Sequence, residues 1–167
     1  MAVRGALGHH GPMLALMLGF SHWFGPTLGS PDGVSTPMVA VGVEPGVRFL
    51  EARVRYTLSV TKRAVPGPEE HRVGFASLEL VGKHRLSVGS QHMEVLLGPF
   101  ATLAHAGGVG GGGGLVVGAR WTFSRGTAAT PALGIFFEGR QVLYRLPGDT
   151  GDARRDAQMD LGVVGVL

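Results

Sequence analysis

The chain has 167 residues, of which 44% are apolar, 16% are charged, 29 are Gly and 10 are Pro. This length suits one domain, and so much Gly and Pro excludes a coiled coil or another long-helix protein, because both residues weaken helices. High apolar content with low charge argues against a disordered chain, and the absence of Cys excludes disulfides and thiolate sites. The formal charge of +3 comes mostly from scattered single residues, so we expect no nucleic-acid partner.

The first 36 residues contain one strong apolar run, Met13–Phe20, which Arg4 precedes. A positive start before a short apolar core is typical of a secretory signal, here a degenerate one. The same run fits a first β-strand, because alternate residues from Leu14 to Phe20 share one face. A wrongly assigned start codon is the third interpretation. The run is too short for a transmembrane helix. Because the alternating pattern is clear only from residue 37 onward, we separate an N-terminal segment, 1–36, from a β-barrel domain, 37–167.

From residue 37 onward the main pattern has a period of two, which is typical of β-strands with one apolar and one polar face. The clearest run, 47–60, is longer than the strands of most soluble proteins, which have about 5–6 residues. Similar runs cover 38–45, 71–81, 92–105, 115–124, 132–145 and 157–167. They predict seven strands, or eight with the N-terminal run.

Turn residues separate these runs. Glu44-Pro45-Gly46 predicts a tight corner, and a longer polar loop follows near Pro66. Gly82-Lys83 and Gly89-Ser90 are possible turns or bulges, and the alternation blurs at Gly139 and Arg140, where a bulge is plausible. Gly107–Gly114 predicts a glycine-rich connection, as a flexible loop or a strand with close backbone approach.

Alternation alone allows two solutions, with the apolar faces turned either toward lipid or toward a dry core. Long runs, low overall charge and polar faces rich in Gly, Ser and Thr favour the lipid-facing solution, because a tilted strand needs about 9–11 residues to cross a membrane. We predict a closed antiparallel up-and-down β-barrel of about eight strands, with its apolar face outward. The alternative is a soluble lipocalin-like barrel or β-sandwich that binds an apolar ligand inside.

Three segments carry a resemblance to a known family: Leu50–Val60 (LEARVRYTLSV), Gly98–Phe123 (GPFATLAHAGGVGGGGGLVVGARWTF) and Met159–Leu167 (MDLGVVGVL). They resemble the small, roughly eight-stranded outer-membrane β-barrel proteins of Gram-negative bacteria. That family typically ends in an aromatic residue, where this chain has Leu167. The resemblance implies a monomer in the cell outer membrane, with outer-membrane lipid as its surroundings and the barrel-assembly machinery as its partner during insertion. It implies a structural, adhesive or small-solute role.

In such a barrel one face of each strand lines the lumen and the other faces lipid. The residues predicted to form a lumenal polar network are Glu51, Arg53, Arg55, Arg120, Glu138, Arg140 and Asp160. The residues predicted to face lipid are Leu50, Val54, Tyr56, Leu58, Leu115, Val117, Trp121, Phe123, Leu161, Val163 and Leu167. The candidates for aromatic girdles are Tyr56, Trp121, Phe123, Phe136, Phe137 and Tyr144.

No motif for chemistry stands out. The glycine run lacks the Gly-Lys-Ser/Thr ending of a phosphate loop, and no His pair has the spacing of a metal site. On a strand His92 and Glu94 would share a face, to which Ser87 or Ser90 could add a hydroxyl. That grouping, with His84, leaves a lipid-modifying outer-membrane enzyme as a third alternative. We predict no catalytic residue, no metal and no cofactor.

Overall fold

The computed structural model describes residues 13–24, 34–45, 49–58, 73–88, 91–105, 107–123 and 132–167. These residues form eight strands: β1 (Met13–Phe24), β2 (Val34–Glu44), β3 (Leu50–Leu58), β4 (Gly74–Val88), β5 (Gln91–His105), β6 (Val109–Thr122), β7 (Ala132–Tyr144) and β8 (Arg154–Val166). Each strand pairs with its neighbours in the chain, and β8 pairs with β1 to close a barrel. The predicted closed antiparallel barrel is therefore confirmed.

Within the described ranges no helix is long and apolar enough to cross a membrane.

The strand register advances by ten residues around the barrel. Stepping between paired residues from Leu14 through all the strands leads back to β1 at Phe24, ten positions farther along. With strands about 4.8 Å apart and a rise of about 3.3 Å per residue, this stagger corresponds to a tilt of about 40°. An eight-stranded barrel has an interior that side chains can just fill.

The connections divide the barrel into two ends. We call the end at which β1 begins and β8 finishes the terminal end, and the opposite one the loop end. The connections 25–33, 59–73 and 145–153 join strands at the loop end, whereas 45–49 and 89–90 join them at the terminal end. The connections 45–49 and 59–73 differ in length as predicted for the corner after Glu44 and the loop near Pro66, and Pro66 itself lies outside the described residues. Two connections depart from it, because 106–108 is short at the loop end and 123–131 is long at the terminal end.

The barrel begins earlier in the chain than predicted. β1 starts at Met13 and β2 at Val34, so the boundary at residue 37 cuts through the second strand. Of the three interpretations of residues 1–36, the first-strand interpretation is correct for 13–24. Its outward face carries Leu14, Leu16, Leu18 and Phe20. The contrast between the two faces of β1 is weak in the sequence because Ala15 and Met17, which face inward, are apolar as well.

Two predicted interruptions are absent from the described strands. Gly82 and Lys83 lie inside β4, and the β7 register runs through Gly139 and Arg140 without a bulge. The glycine run is mostly strand, since β6 already begins at Val109. Gly89 and Ser90 lie outside the described residues.

Glycines on the inner face of β6 allow β7 to approach closely. A Cβ atom at Gly112 or Gly114 would collide with the backbone of β7. At Gly118 it would lie 2.6 Å from both the Phe137 carbonyl oxygen and the Cγ atom of Glu138. The glycine-rich sequence is thus a strand whose missing side chains make room for its neighbour.

We expect Gly118→Ala to lower the free energy of unfolding by about 1–3 kcal/mol, because the new methyl group overpacks against backbone that has little freedom to move. Gly139→Ala is the matched control: its Cβ would point outward, with the nearest atom 3.9 Å away, and we expect no loss. Urea unfolding followed by circular dichroism measures both variants. Equal losses would contradict the close approach of β6 and β7.

Candidate functional site

The outward face of the barrel is mostly apolar on every described strand. Val54 is 60% exposed, Leu97 61%, Leu161 60% and Phe20 66%. No Asp or Glu of the eight strands faces outward, and the only Lys or Arg of these strands on that face is Arg155, near the loop end of β8.

The residues predicted to face lipid occupy this surface. Nine of them are exposed, namely Val54, Tyr56, Leu115, Val117, Trp121, Phe123, Leu161, Val163 and Leu167, while Leu50 and Leu58 are half-buried on the same face. The direction of Val54 and Tyr56 excludes the soluble alternative with an apolar ligand core, since that fold requires them to point inward.

The inward face carries a network of charged and polar side chains, to which all eight strands contribute. Its members are Ser21, Glu44, Glu51, Arg53, Arg55, Glu79, Lys83, Arg85, Glu94, Arg120, Glu138, Arg140, Gln158 and Asp160. We call this set the interior network.

Two arginines of β3 form its centre. Arg53 donates from Nε to Glu51 Oε1 at 2.6 Å and from Nη1 to Glu138 of β7. Arg55 donates from Nε to Glu79 Oε1 at 2.8 Å, and its two terminal nitrogens donate to Glu138 and to Asp160 of β8. Glu138 therefore accepts from both arginines and links the two sides of the barrel.

Arg140 and Gln158 extend the centre toward β1 and the loop end. Arg140 donates to Glu79 Oε1 at 2.7 Å, and its guanidinium carbon lies 4.2 Å from the centroid of the Phe100 ring, in cation–π geometry. Gln158 donates to Asp160 at 2.7 Å and to the Ser21 hydroxyl of β1 at 2.8 Å.

A second group fills the terminal end of the interior. Arg120 donates to both carboxylate oxygens of Glu51, at 2.8 and 3.0 Å, and to Glu94 at 3.3 Å. Lys83 is paired with Glu44 and lies 3.4 Å from Glu51. Because Glu51 also accepts from Arg53, it joins the terminal group to the centre.

The interior network is balanced in charge. Its ion pairs join six cationic side chains, Arg53, Arg55, Lys83, Arg85, Arg120 and Arg140, to six carboxylates, Glu44, Glu51, Glu79, Glu94, Glu138 and Asp160. All except Arg85 are at most 7% exposed. Burying a charge is costly unless it is paired, so this equality lets the barrel close over so many ions.

Apolar side chains close the interior at the loop end. Trp23 stacks on Phe75 with ring centroids 4.5 Å apart, and Tyr144 meets Phe75 edge-on at 5.3 Å. All three are at most 3% exposed. The Tyr144 hydroxyl donates to Asp156 at 2.7 Å, which satisfies its polar end. The described interior is filled rather than open.

The structure places all seven residues predicted for a lumenal network inside the barrel, at 4% exposure or less. The sequence reasoning missed Glu44, Lys83 and Arg85 and did not assign Glu79 and Glu94 to the lumen. A strict period of two carried through Gly82 would have placed Lys83 on the face of Glu79.

The aromatic prediction needs correction at two positions. Phe136 and Tyr144 are each 1% exposed and belong to the interior, because both are in phase with Glu138 and Arg140 along β7. The predicted Phe123 is exposed at the terminal end, and two aromatics that were not predicted are exposed near strand ends, Phe24 at the loop end and Phe49 at the terminal end.

The histidine grouping considered for catalysis comes together only in part, since β4 and β5 pair Ser87 with His92 in phase with Glu94. His84 faces outward beside Val95, whereas Glu94 faces inward and accepts from Arg85 and Arg120. Ser90 lies outside the described residues. In the part of the chain that the structure describes, no three His, Asp or Glu side chains come close enough to hold a metal ion.

A closed eight-stranded barrel with an apolar exterior and an ion-paired interior is the architecture of small membrane β-barrels. No protein-family model matches this chain, and no curated protein sequence does so. The chain has the same fold as the N-terminal β-barrel domain of Pseudomonas aeruginosa OprF, with a TM-score of 0.54 and 11% identity over 93% of this chain and 97% of that one.

Two further solved structures are similar over the same shares, 93% of this chain and 97% of theirs. Neisserial surface protein A has a TM-score of 0.49 at 14% identity. Ail, the attachment invasion locus protein of Yersinia pestis, in complex with the heparin analogue sucrose octasulfate, has a TM-score of 0.44 at 10% identity. All three are eight-stranded outer-membrane barrels of Gram-negative bacteria.

We expect Glu138→Gln to lower the free energy of unfolding by about 3–5 kcal/mol, because it leaves two buried guanidinium groups short of charge compensation. Urea unfolding in detergent micelles, followed by circular dichroism, measures the loss.

Asp149→Asn is the control for that substitution. Asp149 lies in the connection 145–153, and the two hydrogen bonds that Arg154 donates to it, at 2.7 and 2.8 Å, hold the pKa of its carboxyl below the usual value. Arg154 is part-exposed, so water can solvate it when the charge is removed and the loss should be much smaller. Equal losses for the two variants would show that the interior network is not a major source of stability.

Proposed function

We propose that this protein is an integral β-barrel of the Gram-negative outer membrane, with a structural or adhesive role and no catalytic activity. The observation that carries the proposal is the sorting of side chains between the two faces. Every Asp and Glu of the described strands faces the interior, while residues such as Leu16, Leu80 and Val117 cover the exterior. Hydrocarbon requires this sorting, because an outward charge at the bilayer centre costs several kcal/mol, whereas water does not require it.

Backbone closure supports the same conclusion. A sheet surrounded by lipid has to satisfy its amide groups internally, and a closed barrel leaves no unpaired strand edge. Here the last pairing extends beyond β8, since the backbone groups of Leu14 and Leu167 exchange hydrogen bonds of 2.8 and 3.0 Å.

The filled interior favours a structural or adhesive role over the passage of solutes. The interior network occupies the centre and the terminal end, and the Trp23, Phe75 and Tyr144 rings cover the loop end. A channel would require water along the axis, which wider barrels provide. In a barrel with long extracellular loops, the loop end is also the surface available for adhesion.

Fractionation of cells that express the full chain tests the location. We expect the protein in the outer-membrane fraction, resistant to high salt and urea and released by detergent. The control is a soluble periplasmic protein from the same cells, which osmotic shock should release. Release of this protein by salt alone would refute the proposal.

Membrane depth supplies a sharper test. Leu18 lies at the middle of β1 and Phe24 at its loop end, and both face outward. We expect Leu18→Arg to cost about 2–4 kcal/mol in lipid vesicles and Phe24→Arg about 0–1 kcal/mol, because the penalty for a charge falls toward the interface. Reversible unfolding in urea with the barrel in phospholipid vesicles measures both costs. Small and equal costs would indicate that water, not lipid, surrounds β1.

A further inference from the structure

The outer wall formed by β3–β6 contains a groove below its loop end. Its volume is about 570 Å³, within the range of small-molecule sites. The residues that line it with outward-facing atoms are Val54, Ala76, Leu78, Ala101, Leu103 and Gly111. Three of these are Ala or Gly, which project little from a sheet, so the larger Val and Leu side chains form its borders.

A polar pair stands at the loop end of this groove. The Tyr56 hydroxyl and His105 Nε2 are 3.0 Å apart, and their rings are nearly parallel, with centroids 5.9 Å apart. They come from β3 and β5 and meet across β4 at Gly74, where a Cβ atom would lie 2.9 Å from the Tyr56 hydroxyl and 2.6 Å from His105 Cε1. Gly74, which lies two residues nearer the loop end than Ala76, thus leaves room for the pair to form.

The pair can donate a hydrogen bond outward. If the Tyr56 hydroxyl donates to Nε2, neutral His105 carries its proton on Nδ1, and if Nε2 donates instead, the Tyr56 hydroxyl keeps its own proton for another acceptor. A protonated imidazole also retains its Nδ1–H group. In every arrangement one donor is left for a group above the groove.

A cation stands on the other side. Arg145 directly follows β7, is exposed, and its backbone nitrogen donates to Gly111 of the groove at 3.0 Å. Two strand spacings, about 10 Å, separate β7 from β5, a distance that a guanidinium and a headgroup can bridge. The apolar groove therefore ends between hydrogen-bond donors and a positive charge.

We propose that this groove binds one phosphorylated lipid of the leaflet at the loop end. One acyl chain lies between Leu78 and Leu103, and the phosphate accepts from the Tyr56–His105 pair and faces Arg145. The inference rests on the proposed membrane location and deepens it. The groove has hydrogen-bond donors and a cation at one end and apolar residues along the rest, which matches an amphipathic anion. A second copy of the barrel would place an apolar wall against these donors and leave the cation without a partner.

The test uses the full chain in uncharged detergent micelles, with dioctanoyl phosphatidic acid as the probe and native mass spectrometry as the readout. We expect one bound molecule. Ala101→Leu fills the groove, and His105→Phe keeps the ring but removes its donor. Each should weaken binding about tenfold or more, as expected from the loss of one substantial contact.

Matched controls come from the outward face away from the groove. Ala157→Leu enlarges an exposed side chain of β8, and His22→Phe keeps an aromatic ring on β1 but removes its hydrogen bond of 2.8 Å with Ser35 of β2. Both should bind within about twofold of the unchanged protein. All four variants should retain the circular dichroism spectrum of the barrel, because each site faces outward.

Four outcomes would overturn the inference: equal binding by Ala101→Leu, equal binding of dioctanoyl glycerol, competition by inorganic phosphate alone at the same affinity, or a dimer that Ala101→Leu dissociates. None of these bears on the fractionation experiment. If the protein fractionates with the outer membrane but does not bind the lipid, the groove is not a lipid site and the proposed function is unaffected.

Discussion

The barrel depends on charge neutrality in its interior network. Buried ions destabilise a fold unless each has a partner, and this interior brings six cations and six carboxylates together in one connected set. The single side chain of Arg55 on β3 forms ion pairs with carboxylates of β4, β7 and β8. The pairs therefore form only when the sheet has closed, and a partly closed sheet would leave guanidinium groups without carboxylates. Closure and ion pairing are in this sense a single event.

Glycine adjusts the space that this network needs. The stagger of ten residues determines how wide the barrel is, and side chains as long as Arg fit only where the opposite wall recedes. At Gly42 a Cβ atom would lie 2.5 Å from the Glu51 carboxylate, and at Gly118 it would meet the Glu138 side chain. Because both carboxylates accept from several cations, these glycines leave room for the most highly connected members of the network. The glycine content that excludes a helical protein is thus part of how the interior packs.

The sequence predicts the strands best where inward and outward residues differ most. In β3, Arg53 and Arg55 alternate with Val54 and Tyr56, and the predicted directions agree with the structure. Prediction failed where the interior itself is apolar. Phe75 and Val81 of β4 face inward as part of a buried apolar cluster, so the alternation looked mixed and Lys83 was left in a possible turn. The partners of each ion pair lie beyond sequence reasoning, because they depend on the register between distant strands.

The two faces obey different rules, and the difference supports the proposed membrane location. Inside, apolar and charged residues mix, since paired charges and aromatic rings both fill volume. Outside, carboxylates are absent from the described strands, and polar groups such as Tyr56 and His105 occur in hydrogen-bonded pairs near the loop end. Water would tolerate carboxylates anywhere on that surface, so their absence from eight strands is a constraint that water does not impose. Hydrocarbon imposes it along the middle of each strand and relaxes it at the rim, where these pairs lie.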